Sequence, residues 1–358
     1  MEDLKKEFPL ITTCTYLNTA SAGLLSQSLV NWRKKHDEDF LHGGSLFRDL
    51  HKDHINSIKN TVAIFFNTQI NEIALIPNFS LGYNMLLEGL PKKQKVLLLE
   101  RDYPSINWPF ENRDFNICYA KIDENLEENI LEAVSKHQPD IFAFSIVQYI
   151  SGIKIDIDFL KQLKAYHPRL LLIADGTQYL GTEHFNFSES PFDVLGASTY
   201  KWLLAGYGNA FFMIKEEAQE KIFPHTIGFN SAEAMYSKRE DVSFIKHFEP
   251  GHLDTLNHGS LQQSLQNIEQ MGINTISEKI STLSQKARKT FTELGLLEDA
   301  VVNRKEHSNI FNISGDAKLF QKLKDNNIIC SQRGKGIRIS FHFYNTEEDL
   351  DRLITVLK

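Results

Sequence analysis

The sequence is poor in cysteine and contains no long hydrophobic run. Its 358 residues include three cysteines, Cys14, Cys118 and Cys330, and these form no CxxC pair. This favours free thiols in a reducing compartment over a disulfide framework or a zinc site. No uninterrupted apolar stretch is long enough to cross a bilayer, and the opening residues MEDLKKEFPL lack the apolar core of a signal peptide. We therefore expect a cytoplasmic protein with no membrane partner.

An excess of positive charge is lacking as well. Lys and Arg total 39 against 46 Asp and Glu, a formal charge of −7, and no run of basic residues forms an arm, so we expect no nucleic-acid partner. The 13 histidines show no HxH or HExxH spacing, and we predict no metal. Charged residues make up 24% and hydrophobic residues 42%, the composition of an ordinary soluble globular protein.

Short apolar runs are abundant in the first two-thirds of the chain. Several are apolar on both faces, as in a parallel sheet covered by helices. Helical segments lie between them; in 125–137, Leu126, Ile130 and Val134 recur at four-residue steps. This alternation predicts an α/β domain with a mostly parallel sheet between helices. The predicted strands are 72–77, 95–100, 117–122, 140–147, 170–175, 192–199 and 209–214.

The pattern changes after residue 250. An apolar stripe from Ile273 to Leu294, closed by Gly295, predicts one long amphipathic helix. Short strands at 309–314 and 336–341 follow, with a helical segment between them, which indicates a smaller α+β domain. The predicted domains are 16–250 for the large unit, and 1–15 with 251–358 for the small unit.

Two charged residues follow buried strands of the predicted sheet. Asp175 ends the run LLLIAD, and Lys201 comes shortly after VLGAS. Ligands of α/β sheets bind at the carboxyl ends of strands. A lysine that forms a Schiff base and an aspartate that holds a pyridine nitrogen protonated would suit pyridoxal phosphate. A turn-capping Asp175 and a solvated surface Lys201 explain the pattern equally well.

A phosphate site is predicted where a strand runs into a helix in EIALIPNFSLGYNMLLEGL. Ser80 stands where its hydroxyl and free backbone N–H groups would meet an anion, although plain N-capping by Asn78 or Ser80 explains the segment too. Ser198 offers a second hydroxyl. Tyr103, after another strand, is either an aromatic that stacks on a flat ring or a turn residue.

Together these segments resemble a known family. TYLNTASAGLLS, ADGTQYLG, STYKWLLAGYGNAFFMI, FEPGH and GIRISFHFYNTEEDLDRL resemble the class V aminotransferase family of fold-type I pyridoxal-phosphate enzymes. That group includes cysteine desulfurases, selenocysteine lyases and isopenicillin-N epimerase-like proteins. The resemblance spans nearly the whole chain and implies a large domain with a mostly parallel sheet, a smaller α+β C-terminal domain and a homodimer.

The resemblance also implies roles for individual residues. Lys201 matches the Schiff-base lysine, Asp175 the partner of the pyridine nitrogen, and Gln178 the partner of the phenolic oxygen. Arg338 matches the arginine that binds the substrate α-carboxylate, whereas by itself it reads as a surface charge on an edge strand. The other cofactor contacts implied are Phe79, Ser80, Tyr103, Tyr149, Ser198 and Tyr200.

The chain departs from the family pattern at three places. Tyr149 stands where desulfurases have Asn, and His252 follows FEPG where many members have a Thr that reaches the neighbouring subunit's phosphate, a contact that Thr255 could make instead. No cysteine stands where desulfurases carry their nucleophile, since Cys330 is too close to Arg338.

We therefore expect an aminotransferase that acts on an amino acid and a 2-oxo acid through Lys201. A lyase or an epimerase on the same scaffold is the alternative, and a noncatalytic binding protein with this fold is a third.

Overall fold

The computed structural model of the chain describes residues 2–358, and side chains from residue 3 onward. Its centre is a seven-stranded sheet of order β2-β8-β7-β6-β5-β3-β4, in which β8 runs antiparallel to both neighbours and the other pairs are parallel. All seven predicted strands are present in this sheet. The strands are β1 (Thr15–Tyr16), β2 (Ile73–Ile76), β3 (Lys95–Leu99), β4 (Asn116–Ala120), β5 (Ile141–Ser145), β6 (Leu171–Asp175), β7 (Val194–Ser198), β8 (Ala210–Ile214), β9 (Ile310–Ser314), β10 (Ile328–Ile329), β11 (Ser331–Arg333) and β12 (Gly336–Ser340).

Helices cover both faces of the central sheet. The helices are α1 (Glu2–Glu7), α2 (Gln27–Gly43), α3 (Ser45–Asp49), α4 (His51–Phe66), α5 (Phe79–Glu88), α6 (Pro104–Glu111), α7 (Leu126–His137), α8 (Ile157–Tyr166), α9 (Glu216–Gln219), α10 (Thr255–Met271), α11 (Ile273–Glu293), α12 (Asp299–Val302), α13 (Ala317–Asp325) and α14 (Glu347–Leu357). None of the helices within residues 2–358 combines the length and the apolar character needed to span a bilayer.

The strands inside the sheet are mostly apolar because both of their faces are buried, whereas the edge strand β4 is largely exposed or half-buried. In β3, Leu97 and Leu99 belong to the core on one face, whereas Val96 and Leu98 belong to the core on the other. Successive strand residues point to opposite faces, so a strand between two helix layers needs an apolar residue at every position.

The C-terminal part forms a three-stranded antiparallel sheet of order β11-β12-β9, beside a parallel pair of β1 and β10. The β1–β10 pair joins the N-terminal segment to this part of the molecule. Helix α10 packs on α2 and α4, so the C-terminal third also contacts helices from before residue 250. The domain boundaries stay predictions, and residue 1 of the predicted small domain lies outside the described residues.

The long amphipathic helix is confirmed as α11. It begins at Ile273 and ends at Glu293, and Gly295 beyond it takes a φ of +66°, a conformation that favours glycine. Ile280, Ala287 and Phe291 are among the side chains that its apolar stripe buries.

Candidate active site

A cavity of about 200 Å³ lies at the carboxyl ends of β5, β6 and β7, between these strand ends and the start of α5. This is the edge of an α/β sheet at which ligands bind. All nine residues predicted to contact a cofactor line it. The lining residues are Asn78, Phe79, Ser80, Tyr103, Ser145, Val147, Tyr149, Asp175, Thr177, Gln178, Ser198, Tyr200 and Lys201.

Lys201 is a buried amine at this cavity. The residue comes shortly after β7, and only 6% of it is exposed. The alternative of a solvated surface lysine is therefore wrong. Nζ lies 5.7 Å from the ring centroid of Tyr103 and 5.6 Å from that of Tyr200. Burial lowers the pKa of Lys201 to about 8; Asp175 opposes this shift, and Arg338 adds to it. Within the described chain, no hydrogen bond or ion pair engages Nζ.

Asp175 is the last residue of β6 and is 5% exposed. Its Oδ1 accepts a hydrogen bond from the backbone N–H of Thr177 at 2.8 Å, and Thr177 Oγ1 accepts one from the N–H of Ser198 at 3.0 Å. Asp175 therefore caps a turn and lines the cavity at the same time. Burial raises its pKa, while the hydrogen bonds from Thr177 and the charge of Lys201 act in the opposite direction.

The segment after β1 packs against three residues that line the cavity, namely Gln178, Tyr200 and Lys201. Gln178 donates from Nε2 to the carbonyl of Ala20 at 3.0 Å and accepts from Trp202 Nε1 at 2.8 Å, so its amide has a defined orientation. The N–H of Gly23 donates to the carbonyl of Tyr200 at 2.8 Å. A Cβ at Gly23 would lie 2.0 Å from the carbonyl oxygen of Lys201. Only glycine lets the N-terminal segment approach the lysine loop this closely.

The predicted phosphate site lies at the N-terminus of α5. Asn78 caps this helix by accepting from the N–H of Leu81 at 2.9 Å, which confirms the capping alternative for Asn78. Ser80, the second residue of the helix, shares a hydrogen bond with Ser105 Oγ at 2.9 Å. The N–H of Phe79 donates to Ser198 Oγ at 3.3 Å, which brings both predicted phosphate-binding serines to one end of the cavity.

Asp102 fixes the position of Tyr103, one of the aromatic residues that line the cavity. The sequence did not predict this function. The two carboxylate oxygens of Asp102 accept from the backbone N–H groups of Tyr103 at 2.6 Å and Ser145 at 2.7 Å. Burial raises the pKa of Asp102 to about 6. Tyr103 then meets Tyr149 edge to face, with ring centroids 5.2 Å apart. A carboxylate shortly after a buried strand was the available signal, comparable to Asp175 at the end of β6.

Arg338, on β12, does not itself line the cavity, but it contacts Tyr149, which does. It donates to the carbonyl of Tyr149 at 2.7 Å and to Ser21 Oγ at 2.5 Å, and only 3% of the residue is exposed. Burial, followed by the charge of Arg333, lowers its pKa to about 10. β12 is the central strand of its sheet, so the alternative of an exposed charge on an edge strand is wrong.

A family model described as "Aminotransferase class-V" matches residues 41–353 of this chain. The chain belongs to the class V aminotransferase family. The predicted family, enzyme class and pyridoxal-phosphate dependence are thereby confirmed, while the roles of individual residues stay predictions.

Proteins that are similar over nearly the whole chain are named for different activities. The uncharacterized aminotransferase YcbU of Bacillus subtilis (strain 168) is 23% identical over 373 residues, covering 99% of this chain and 96% of that protein. A probable cysteine desulfurase of Ureaplasma parvum serovar 3 is 24% identical over 408 residues, covering 100% and 97%. The apo structure of a cysteine desulfurase from Thermococcus onnurineus NA1 has a TM-score of 0.88 at 18% identity, covering 99% and 96%. This likeness confirms the predicted fold.

The cavity of this class V chain fits pyridoxal phosphate by the chemistry of its donors. It offers one buried amine without a hydrogen-bond partner among residues 2–358, a carboxylate on the neighbouring strand and serines at a helix N-terminus. An amine can hold the cofactor aldehyde, a carboxylate can pair with a protonated ring nitrogen, and a helix N-terminus favours a phosphate.

The departures from the class V pattern lie at defined places. His252 is exposed and packs against Phe229, with ring centroids 5.2 Å apart. Thr255 Oγ1 lies 3.0 Å from Nε2 of His36 in the same chain. Glu249 of the FEPGH segment forms a buried ion pair with Lys59 at 2.6 Å, which explains that part of the motif as structural. The predicted intersubunit contact stays untested.

The three cysteines lie away from the cavity. None is among its lining residues. Cys330, between β10 and β11, is buried, and burial raises the pKa of its thiol to about 12. Across residues 2–358, no group of three His, Cys, Asp or Glu side chains is placed to hold a metal ion.

Proposed function

We propose that this chain is an aminotransferase, which moves the amino group of an amino acid to a 2-oxo acid. One observation carries the proposal. The buried Nζ of Lys201, without a hydrogen-bond partner in residues 2–358, shares a cavity with Asp175, and Arg338 stands at the wall formed by Tyr149. An amine, a carboxylate and a guanidinium are thus available for the cofactor ring, the proton transfers and the substrate carboxylate.

Bound pyridoxal phosphate supplies a ring that accepts electrons from the substrate α-carbon. Lys201 would hold the cofactor, with Asp175 beside the ring nitrogen and Gln178 beside the phenolic oxygen. Tyr103 would stack on the face of the ring, and Ser80, Ser198 and Tyr200 would contact the phosphate. Phe79 and Tyr149 are the other residues proposed to contact the cofactor.

Lys201 is suited to move the proton of the substrate α-carbon. With a pKa of about 8, its amine is partly neutral near pH 7, whereas an ordinary lysine is almost fully charged. A general base works best when its pKa lies near the working pH. The burial of Lys201 therefore supports a catalytic function beyond cofactor attachment.

Arg338 would bind the substrate α-carboxylate. The contacts with Tyr149 and Ser21 use two of its five N–H donors and set the plane of the guanidinium. The donors that remain can form a bidentate pair with a carboxylate. Because the guanidinium is oriented before the substrate arrives, little side-chain entropy is lost on binding.

A lyase is the second candidate, favoured by the relative named as a probable cysteine desulfurase. None of the three thiols lines the cavity, and the buried Cys330 resists ionisation because its pKa lies near 12. Transfer of sulfur through an enzyme thiol therefore gains no support. The lyase candidate is an elimination that needs no enzyme thiol, and racemisation is the third outcome of the same proton chemistry.

A panel of amino acids, assayed with and without a 2-oxo acid, tests these candidates. Transamination yields a new amino acid only when the acceptor is present, whereas elimination yields ammonia without the acceptor. Racemisation changes the optical rotation without either product. Ammonia release independent of the acceptor would overturn the aminotransferase proposal. Lys201→Ala serves as the inactive control.

We also propose a cytoplasmic homodimer. The exposed side chains of Leu41 and Leu46, 77% and 73% exposed, support an apolar contact surface on α2 and α3, and the three free cysteines suit a reducing compartment. Sedimentation velocity should show a dimer that Leu46→Lys weakens, and fractionation of cells should place the protein in the cytoplasm.

A further inference from the structure

Two arginines share one face of the hairpin formed by β11 and β12. Ser331 pairs with Arg338, and Arg333 pairs with Gly336. Directly opposed residues of an antiparallel pair lie on the same face, and so do alternate residues of one strand. Arg333 is therefore the diagonal neighbour of Arg338, at a typical distance of about 7–8 Å between backbone positions.

Neither guanidinium has an anionic partner. No Asp or Glu of the described chain lies within ion-pair distance of Arg333 or Arg338, although like charges this close on one sheet face repel each other. The charge of Arg333 reaches the cavity, since it contributes to the lowered pKa of Lys201 and opposes the rise that burial causes in the pKa of Tyr103. Arg333 itself is exposed, so a small molecule can reach it from solvent.

The hairpin is held against the wall of the cavity. Gly334 at the turn has a φ of +57°, and a Cβ there would lie 3.0 Å from a side-chain carbon of Ile150. Ile150 follows Tyr149, which lines the cavity. The carbonyl of Arg333 accepts from Asn312 Nδ2 at 2.9 Å. Contacts on both sides of the turn thus fix the backbone from which Arg333 extends.

We propose that Arg333 determines specificity by binding a second carboxylate of the substrate while Arg338 binds the first. The substrate class would be a dicarboxylic amino acid or a dicarboxylic 2-oxo acid. A carboxylate suits each planar guanidinium, and a dianion between the two arginines removes their mutual repulsion. This inference rests on the proposed function in one respect, namely that the ligand enters the same cavity.

Binding of unreactive acids tests the proposal without turnover. Calorimetry on the pyridoxal-phosphate-loaded protein compares glutarate with pentanoate, which has the same chain length but one carboxylate. We expect glutarate to bind at least about 10-fold more tightly than pentanoate, because its second carboxylate can form a charged hydrogen bond with Arg333. Arg333→Gln should remove this preference, and Lys335→Gln, which removes a charge from the same turn, should keep it. Equal binding of the two acids, or an equal loss in both variants, would overturn the proposal.

Kinetics separate this inference from the proposed function. Arg333→Gln should lower kcat/KM for a dicarboxylic amino acid about 10-fold relative to kcat/KM for alanine, because the effect of the lost charge on Lys201 is common to both substrates. A protein that prefers glutarate through Arg333 but converts no amino acid would support the binding site and overturn the aminotransferase. A protein that transaminates alanine but shows no preference for glutarate would support the aminotransferase and overturn the proposed site at Arg333.

Discussion

The Nζ of Lys201 lies 5.7 Å from the ring centroid of Tyr103, although the two residues follow strands that are not neighbours in the sheet. β6 and β5 lie between β7, which precedes Lys201, and β3, which precedes Tyr103. The cavity therefore extends across the ends of several strands, and its chemistry depends on how each connection is held.

The amine of Lys201 should titrate far below an ordinary lysine. Burial lowers its pKa to about 8, so its reactive neutral form should appear with a midpoint near pH 8. Trace acetylation of the cofactor-free protein at a series of pH values, with mass spectrometry of the peptide around residue 201, measures this midpoint. Asp175→Asn should lower it further, because the carboxylate favours the charged amine. The exposed Lys221 is the internal control, and a midpoint above 10 at residue 201 would contradict the prediction.

Lys201→Ala should abolish covalent attachment of pyridoxal phosphate and all turnover. The reason is that the cofactor aldehyde is proposed to bond to the buried amine of Lys201, and alanine has no amine in its side chain. Borohydride reduction of the loaded wild-type protein, followed by peptide mapping, should place the cofactor on residue 201. Lys221→Ala should label like the wild type. A label on another lysine would remove Lys201 from the mechanism.

Gly23→Ala should damage the site by steric overlap. The new Cβ would lie 2.0 Å from the carbonyl oxygen of Lys201, and overpacking of this kind costs about 1–3 kcal/mol. We expect weaker pyridoxal-phosphate binding and a lower melting temperature. Gly251→Ala is the matched control, because no heavy atom lies within 4 Å of its added Cβ. Equal cofactor affinity and equal melting temperature in the two variants would show that the structure around Gly23 accommodates the added methyl group without loss of stability.

Asp102→Asn should destabilise the wall that carries Tyr103. An amide has one acceptor oxygen, whereas the carboxylate accepts from both Tyr103 and Ser145. One buried N–H would lose its partner, at a cost of about 1–3 kcal/mol. Urea unfolding measures the change, with the exposed Asp114→Asn as control. An unchanged free energy of unfolding for Asp102→Asn would contradict the positioning role.

Lys59→Met should lower the free energy of unfolding by about 3 kcal/mol at pH 7, because the buried Glu249 loses its partner at 2.6 Å and keeps only the longer ion pair with Lys246 at 3.9 Å. Adding Glu249→Gln should recover part of the loss. Lys52→Met breaks the exposed pair with Glu233 and should cost at most about 1 kcal/mol. Similar losses from the two single variants would show that burial of the Lys59 pair has no energetic consequence.

Local patterns in the sequence determined the strands of the central sheet, the helix α11 and the candidate residues Asp175 and Lys201. Apolar runs and four-residue periodicities are local properties, and a polar residue directly after a buried strand marks the edge where ligands bind. The family resemblance added the cofactor and the proposed role of each residue.

Only the tertiary structure decided which residues meet. The antiparallel orientation of β8 depends on pairing that no local pattern encodes. The burial of Arg338 depends on Ser21 and Tyr149, which lie 317 and 189 positions away in the chain. Asp102 acquires its function from Ser145 on another strand. Hydrogen bonds and burial arise between segments far apart in sequence, so the environment of a charged group follows from packing, whereas its chemical identity is already present in the chain.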